Sequence, residues 1–212
     1  MLTVIGIVLL AAGLSCLGYV GYQYFGTNVV AERTFQTERE QLRTTWTEQR
    51  TTDPEGKKKR AATPIPGAAI GLLRIPAFGA KYEIPIVDGT SLDVLSKGVG
   101  HYSSTAQPGQ PGNFALAGHR VTHGEPFSRL LELNKGDQII VETRDSVFTY
   151  VIDEAPKQLT VKDTDTWVID PVPGKPDVKP TQSLITLTTC QDLFHSPDRS
   201  VGFGHLASTQ NK

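Results

Sequence analysis

The sequence predicts an all-β domain, a barrel or sandwich, carried behind an N-terminal apolar helix. Three observations lead there. Short runs rich in Val, Ile, Leu and Thr recur from residue 67 onward, separated by Gly, Pro and Asp turns. Residues 1–31 contain no charged side chain. The stretch between is first polar and helix-permissive, then rich in Pro, Lys and Thr, the composition of a spacer. The 212 residues divide accordingly into an anchor at 1–31, a juxtamembrane helix and linker at 32–66, and a β domain at 67–210.

The anchor's apolar centre runs from residue 2 to residue 25. Two dozen residues at 1.5 Å rise reach roughly 36 Å, enough for a hydrocarbon layer of about 30 Å. Tyr19, Tyr22, Tyr24 and Phe25 gather at one end, as an interfacial aromatic belt does. A cleaved signal peptide is the competing reading, with Val29-Val30-Ala31 as its cleavage site. The absence of a basic leader and the length of the apolar run favour an anchor. A lipoprotein reading of Leu14-Ser15-Cys16 fits less well, because Gly13 stands where a large apolar residue belongs. Flanking charge does not orient the span, since no Lys or Arg precedes it.

Residues 32–50 lack Gly and Pro, and Phe35, Leu42 and Trp46 recur at helical spacing. This thin stripe suits a spacer that packs on lipid headgroups or on the following domain. The basic run Lys57-Lys58-Lys59-Arg60 lies in the linker and reads as a solvated segment. Strands are expected over 69–75 and 82–87, with Pro85 marking an edge or bulge. Ser91 caps a short helix over 91–99. A loop at 107–112 leads into a strand at 113–118 that delivers His119, and 125–131 forms a helical turn. Residues 138–143 and 147–152 form a hairpin, 170–180 is irregular, and 183–189 and 200–206 are the last strands.

The chemistry concentrates in three residues. Cys16 lies in the anchor, which leaves Cys190 as the one cysteine of the extramembrane part. No intradomain disulfide, CxxC pair or Cys/His metal set exists. Arg199 follows Cys190 by nine residues and His119 precedes it by seventy-one. A thiol, an imidazole and a guanidinium supply a nucleophile, a proton carrier and an oxyanion partner, the groups acyl transfer needs. A formal net charge of −1 provides no global field for nucleic acid. His101, His123 and His205 read as surface or strand histidines. His195 lies between Cys190 and Arg199 and borders a substrate groove on this reading, as do Thr188 and Thr189. Asp153, Glu154, Asp163 and Asp165 read as solvated acids, and Asp170 and Asp192 as possible partners of His119.

The order His, Cys, Arg and its local sequences resemble the sortase family. The residues that carry the resemblance are Phe114-Ala115-Leu116-Ala117-Gly118-His119-Arg120, Thr186-Leu187-Thr188-Thr189-Cys190, which matches the TLxTC signature, and Arg199 opening Arg199-Ser200-Val201-Gly202-Phe203. Ile70-Gly71-Leu72-Leu73-Arg74-Ile75-Pro76 is similar to the family's opening strand. The likeness covers 67–208 and is nearest to class E, with classes D and F next. It implies an eight-stranded β-barrel and a Gram-positive, cell-surface cysteine transpeptidase. Cys190 would be the nucleophile, His119 the acid and base, and Arg199 the oxyanion and backbone holder. It also implies a secreted partner bearing a C-terminal LAxTG- or LPxTG-like sorting signal. The amine acceptor would be a lipid-linked peptidoglycan precursor or, alternatively, a pilin lysine. The expected location is a single-pass membrane anchor with the catalytic domain outside. The chemistry requires no cofactor; calcium, which some members bind near an acidic loop, is not indicated. A catalytically silent barrel used for adhesion is the rival reading, and the intact triad argues against it.

Overall fold

A computed structural model describes residues 1–52, 67–190 and 196–212. The chain opens with α1 (Leu2–Gly21), runs through a π-helical turn at Tyr22–Gly26 and continues as α2 (Thr27–Thr52). Leu9, Leu10, Leu14 and Leu17 of α1 are exposed, and the helix is long and apolar enough to cross a membrane. The stripe on α2 faces protein. Phe35 is fully buried, and Leu42 and Trp46 pack on Leu72 and Ala69. Arg39 donates to the Glu83 carbonyl at 2.6 Å, and Arg43 pairs with the Glu83 carboxylate at 2.8 Å. Burial of large apolar side chains contributes roughly 1.5–3 kcal/mol each, so this face holds the helix more firmly than its exposed ion pairs do. The basic run at 57–60 and the rest of the expected linker from 53 to 66 fall outside the described residues.

Among the described residues nine strands follow: β1 (Ala69–Arg74), β2 (Ile84–Asp88), β3 (Val99–His101), β4 (Gly112–Ala117), β5 (Gln138–Glu142), β6 (Ser146–Glu154), β7 (Thr160–Lys162), β8 (Ser183–Cys190) and β9 (Asp198–Asn211). Eight form a closed barrel in the order β6-β5-β1-β2-β3-β4-β8-β9, sealed by antiparallel pairing of β6 with β9. The short β7 is appended to the start of β9. The expected eight-stranded barrel is therefore present, with one small additional strand. Its interior is filled by Leu73, Ile86, Phe114, Leu116, Val141, Tyr150, Ile185 and Leu187, among others.

Most strands stand where alternation and turn residues place them. Pro85 is a partial exception, because β2 is an interior strand between β1 and β3. Pro85 itself pairs only with Leu72 of β1; the ladder to β3 begins at Ile86. The irregularity falls on β1, between Ala69 and Gly71. The helix after Ser91 is α3 (Leu92–Leu95), with the Ser91 hydroxyl accepting from the Val94 amide at 3.4 Å. β8 departs from alternation because both of its faces are covered. Ile185 and Leu187 enter the core, while Thr186 donates to the carbonyl of Val168 at 3.1 Å in the 3₁₀ turn Thr166–Ile169 laid over the outer face.

Candidate active site

Strand register assembles the site. β4 and β8 run parallel, with Ala117 level with Thr188. Two residues further along each chain are His119 and Cys190, and neighbouring strands lie about 4.8 Å apart. The Gly118 amide continues the ladder by donating to the Thr188 carbonyl at 3.1 Å, and the Thr189 hydroxyl donates to the Gly118 carbonyl at 2.8 Å. On the other side, antiparallel β8 and β9 set Cys190 directly opposite Arg199. All three side chains line one cavity of about 560 Å³ at the barrel end. Residues separated by seventy-one and by nine positions in the chain thus converge on one opening.

Close packing holds His119 at this place. Gly118 is pressed under the Phe127 ring, where a Cβ would lie 2.6 Å from Cδ2. The Phe127 amide donates back to the His119 carbonyl at 2.9 Å. A bulkier residue at 118 would displace the histidine that follows.

Arg199 is anchored but only partly covered. Its Nη1 donates to the carbonyls of Ser196 at 2.6 Å and Asp198 at 3.0 Å, and its Nη2 lies 3.6 Å from the Asp163 carboxylate. Asp163 therefore belongs with the arginine rather than with isolated solvated acids, and Asp165 lines the same cavity. Thr188 and Thr189 are buried and line the cavity as well. Their hydroxyls bond the Leu116 and Gly118 carbonyls at 3.1 and 2.8 Å, which ties β8 to β4. His195 and Asp192 fall outside the described residues. Asp170 does not partner His119: its carbonyl accepts from Asn113 at 3.1 Å, at the opposite end of β4.

The electrostatics of His119 are distinctive. Burial is the main influence on the ring, and the nearby His123 adds charge repulsion; together they lower its pKa from the ordinary 6.5 to about 4. The ring therefore rests neutral at pH 7. Its Nε2 is closed off from solvent and has no hydrogen-bond partner among the described residues.

Two contributors escaped sequence reasoning. His123, read as a surface histidine, stacks on His119 with ring centroids 4.7 Å apart and planes 25° from parallel. Tyr24, read only as part of an aromatic belt, lines the cavity. The apolar residues Leu92 and Leu95 of α3 line it too. Leu92 is 76 % exposed, so this face belongs to the groove rather than to the core. Among the other histidines, His101 is fully buried between Asp88 and the Ala106 carbonyl, each 3.1 Å away, and His205 pairs with Asp153 at 2.8 Å on the surface.

A closed barrel with a thiol, a neutral imidazole and a guanidinium converging at one end defines a cysteine acyl-transfer scaffold. The sortase domain family model matches residues 73–207, and the chain belongs to the sortase family, whose members are cysteine transpeptidases of the cell wall. The chain is 36% identical over 209 residues to Sortase SrtE1 of Streptomyces coelicolor, covering 95% of this chain and 56% of that protein. It is 34% identical over 210 residues to Sortase D of Bacillus subtilis, covering 96% of this chain and 98% of that protein. The structure of sortase E from Streptomyces avermitilis superposes with a TM-score of 0.62 at 41% identity, covering 69% of this chain and 93% of that one. Within the family the chain is most like class E. It spans just over half the length of the first of these relatives.

Proposed function

We propose that this chain is a membrane-anchored transpeptidase acting outside the cell on proteins that carry a C-terminal LAxTG- or LPxTG-like sorting signal. The observation that carries the reading is the strand register that brings Cys190 opposite Arg199 and beside His119 at one cavity. In the first half-reaction the Cys190 Sγ attacks the Thr–Gly carbonyl carbon and its proton passes to His119. The S–C bond forms and the carbonyl oxygen takes negative charge, which the Arg199 guanidinium stabilises with a planar donor fork. The C–N bond then breaks, and His119 returns the proton to the departing glycine amine. In the second half, an incoming amine loses its proton to His119 and attacks the thioester carbonyl carbon; the C–S bond then breaks, and His119 hands that proton to the departing sulfur, restoring the Cys190 thiol. A ring held neutral at pH 7 begins both half-reactions with a free acceptor nitrogen, and its lowered pKa makes the protonated ring a strong acid toward the departing amine.

The amine belongs to a lipid-linked peptidoglycan precursor on this reading, which places both the enzyme and its acceptor at the membrane. The exposed apolar surface of α1 and the position of Tyr24 at the cavity support that arrangement. The test incubates the full chain with LAxTG and LPxTG peptides, with and without an amine acceptor, and follows enzyme and product by mass spectrometry. An acyl adduct on Cys190 and a product joined at Thr are expected. A folded enzyme that neither captures nor cuts either peptide would overturn the reading in favour of a silent scaffold.

A further inference from the structure

The segment between His119 and Phe127 is held in a conformation it would not adopt alone. His123 and Glu125 have φ values of 54° and 49°, with Gly124 between them at 80°. Left-handed backbone at a non-glycine residue costs roughly 1 kcal/mol or more and persists where surrounding structure over-determines it. The surrounding structure here is α2. The Thr27 hydroxyl accepts from the His123 amide at 3.4 Å, and the Asn28 side-chain carbonyl accepts from the Gly124 amide at 2.8 Å. The Asn28 amide also donates to the Glu125 carboxylate. Phe35 and Ala31 fill the space beside Gly124, where a Cβ would lie 2.6 Å from the Phe35 ring. The product of this clamp is one side-chain placement: the His123 ring lies flat on the His119 ring, with its Nδ1 fixed 2.9 Å from the Thr122 hydroxyl.

His119 needs such support. Its Nε2 has no hydrogen-bond partner among the described residues, so no acceptor orients the ring through that atom. Of the two partners expected from sequence, Asp170 is at the far end of β4 and Asp192 lies outside the described residues. Among the described residues, it is the stacked His123 ring that fixes the plane of the imidazole.

We propose that His123 is a positioning residue for His119, and that α2 is a working part of the site because Thr27 and Asn28 lock His123 in place. The proposal rests on the reading of His119 as the proton carrier. The line of force runs from helix to turn, from turn to His123, and from His123 to the reacting imidazole. The anchor helix therefore does more than tether the barrel: its extramembrane continuation sets the plane of a catalytic ring.

The test uses the full chain in detergent micelles and compares His123→Gly, His123→Phe and Asn28→Ala with wild type. His123→Gly removes the ring while easing the left-handed backbone. His123→Phe keeps a flat ring without a titrating nitrogen. Expected for His123→Gly is a loss of about tenfold in kcat with little change in KM, since a misaligned proton carrier slows transfer without altering peptide binding. His123→Phe restores most of that rate. Asn28→Ala reproduces the loss, and combining it with His123→Gly adds little further, because both act through one element. The acid limb of the rate profile moves to higher pH in His123→Gly, where His119 gains solvent and loses a charged neighbour, while Cys190, Arg120, Arg199, Asp163, Asp165 and Lys162 around the same cavity are unchanged. A role confined to stability predicts the opposite pattern: kinetics that follow the melting temperature and no rescue by Phe. That result, or wild-type kcat and acid limb in both His123→Gly and Asn28→Ala, overturns the proposal. His119→Ala and Cys190→Ala serve as controls; product from either would instead overturn the reading of the site itself.

Discussion

The lowered pKa of His119 makes a stability prediction that can be worked through. A fall from 6.5 in the unfolded chain to about 4 in the fold corresponds to about 3 kcal/mol. His119 is half-buried, so solvent screening trims this to between about 2 and 3 kcal/mol. The unfolded chain takes up a proton below pH 6.5 that the folded ring accepts only near pH 4. Protonation therefore favours unfolding across that window, and the contribution is complete above pH 6.5 and lost as pH falls toward 4. His119→Gln removes the titrating group. Urea unfolding of the full chain in micelles, followed by tryptophan fluorescence, gives the free energy of each protein at about pH 7.5 and about pH 4. Carboxylates common to both proteins cancel in the comparison. Wild type is expected to lose about 2–3 kcal/mol more than the variant on acidification. Parallel pH dependence in the two proteins would refute the account of a buried, neutral imidazole.

The remaining predictions concern the same barrel end. Cys190→Ala is expected to abolish the peptide adduct while leaving the circular dichroism spectrum and melting temperature near wild type, because the side chain is only partly buried; surviving adduct would locate the nucleophile elsewhere. Arg199→Lys keeps a positive charge but loses the planar fork and the paired contacts to Ser196 and Asp198, so kcat should fall by about 100-fold, and near-normal turnover would remove Arg199 from oxyanion stabilisation. Gly118→Ala drives a methyl against the Phe127 ring, with an expected cost of about 1–3 kcal/mol in stability and a displaced His119; a thermal melt and a rate at wild-type levels would show that the ring can yield.

Much of the barrel was legible because its long strands carry strong local signals. The hairpin of β5 and β6 is marked by two β-rich runs around Arg144-Asp145-Ser146, and β8 by the run from Leu184 to Thr189. β3 and β7 were not legible. Each has three residues, too few for a period-2 pattern to stand out, and each exists because a neighbouring strand offers it unpaired backbone groups. The closure of β6 on β9 was equally invisible, since it joins residues such as Ser146 and Asn211 through a register that no local pattern encodes. The apolar stripe of Phe35, Leu42 and Trp46 was visible, but a stripe states only that something covers it.

The site divides along the same line. The amino-acid sequence by itself determined which reactive groups exist: one thiol outside the apolar N-terminal segment, an imidazole upstream of it, a guanidinium just after it, and the motifs that carry the family likeness. Tertiary structure alone decided that β4 and β8 run parallel in the register that brings His119 level with Cys190. It alone decided that Asp163 lies beside Arg199, that His123 stacks on His119, and that α2 reaches the turn at His123 and Gly124. The physical reason is range. Side-chain chemistry and backbone preference are properties of a few consecutive residues, whereas burial, ring stacking and a shifted pKa arise between groups that only folding brings together.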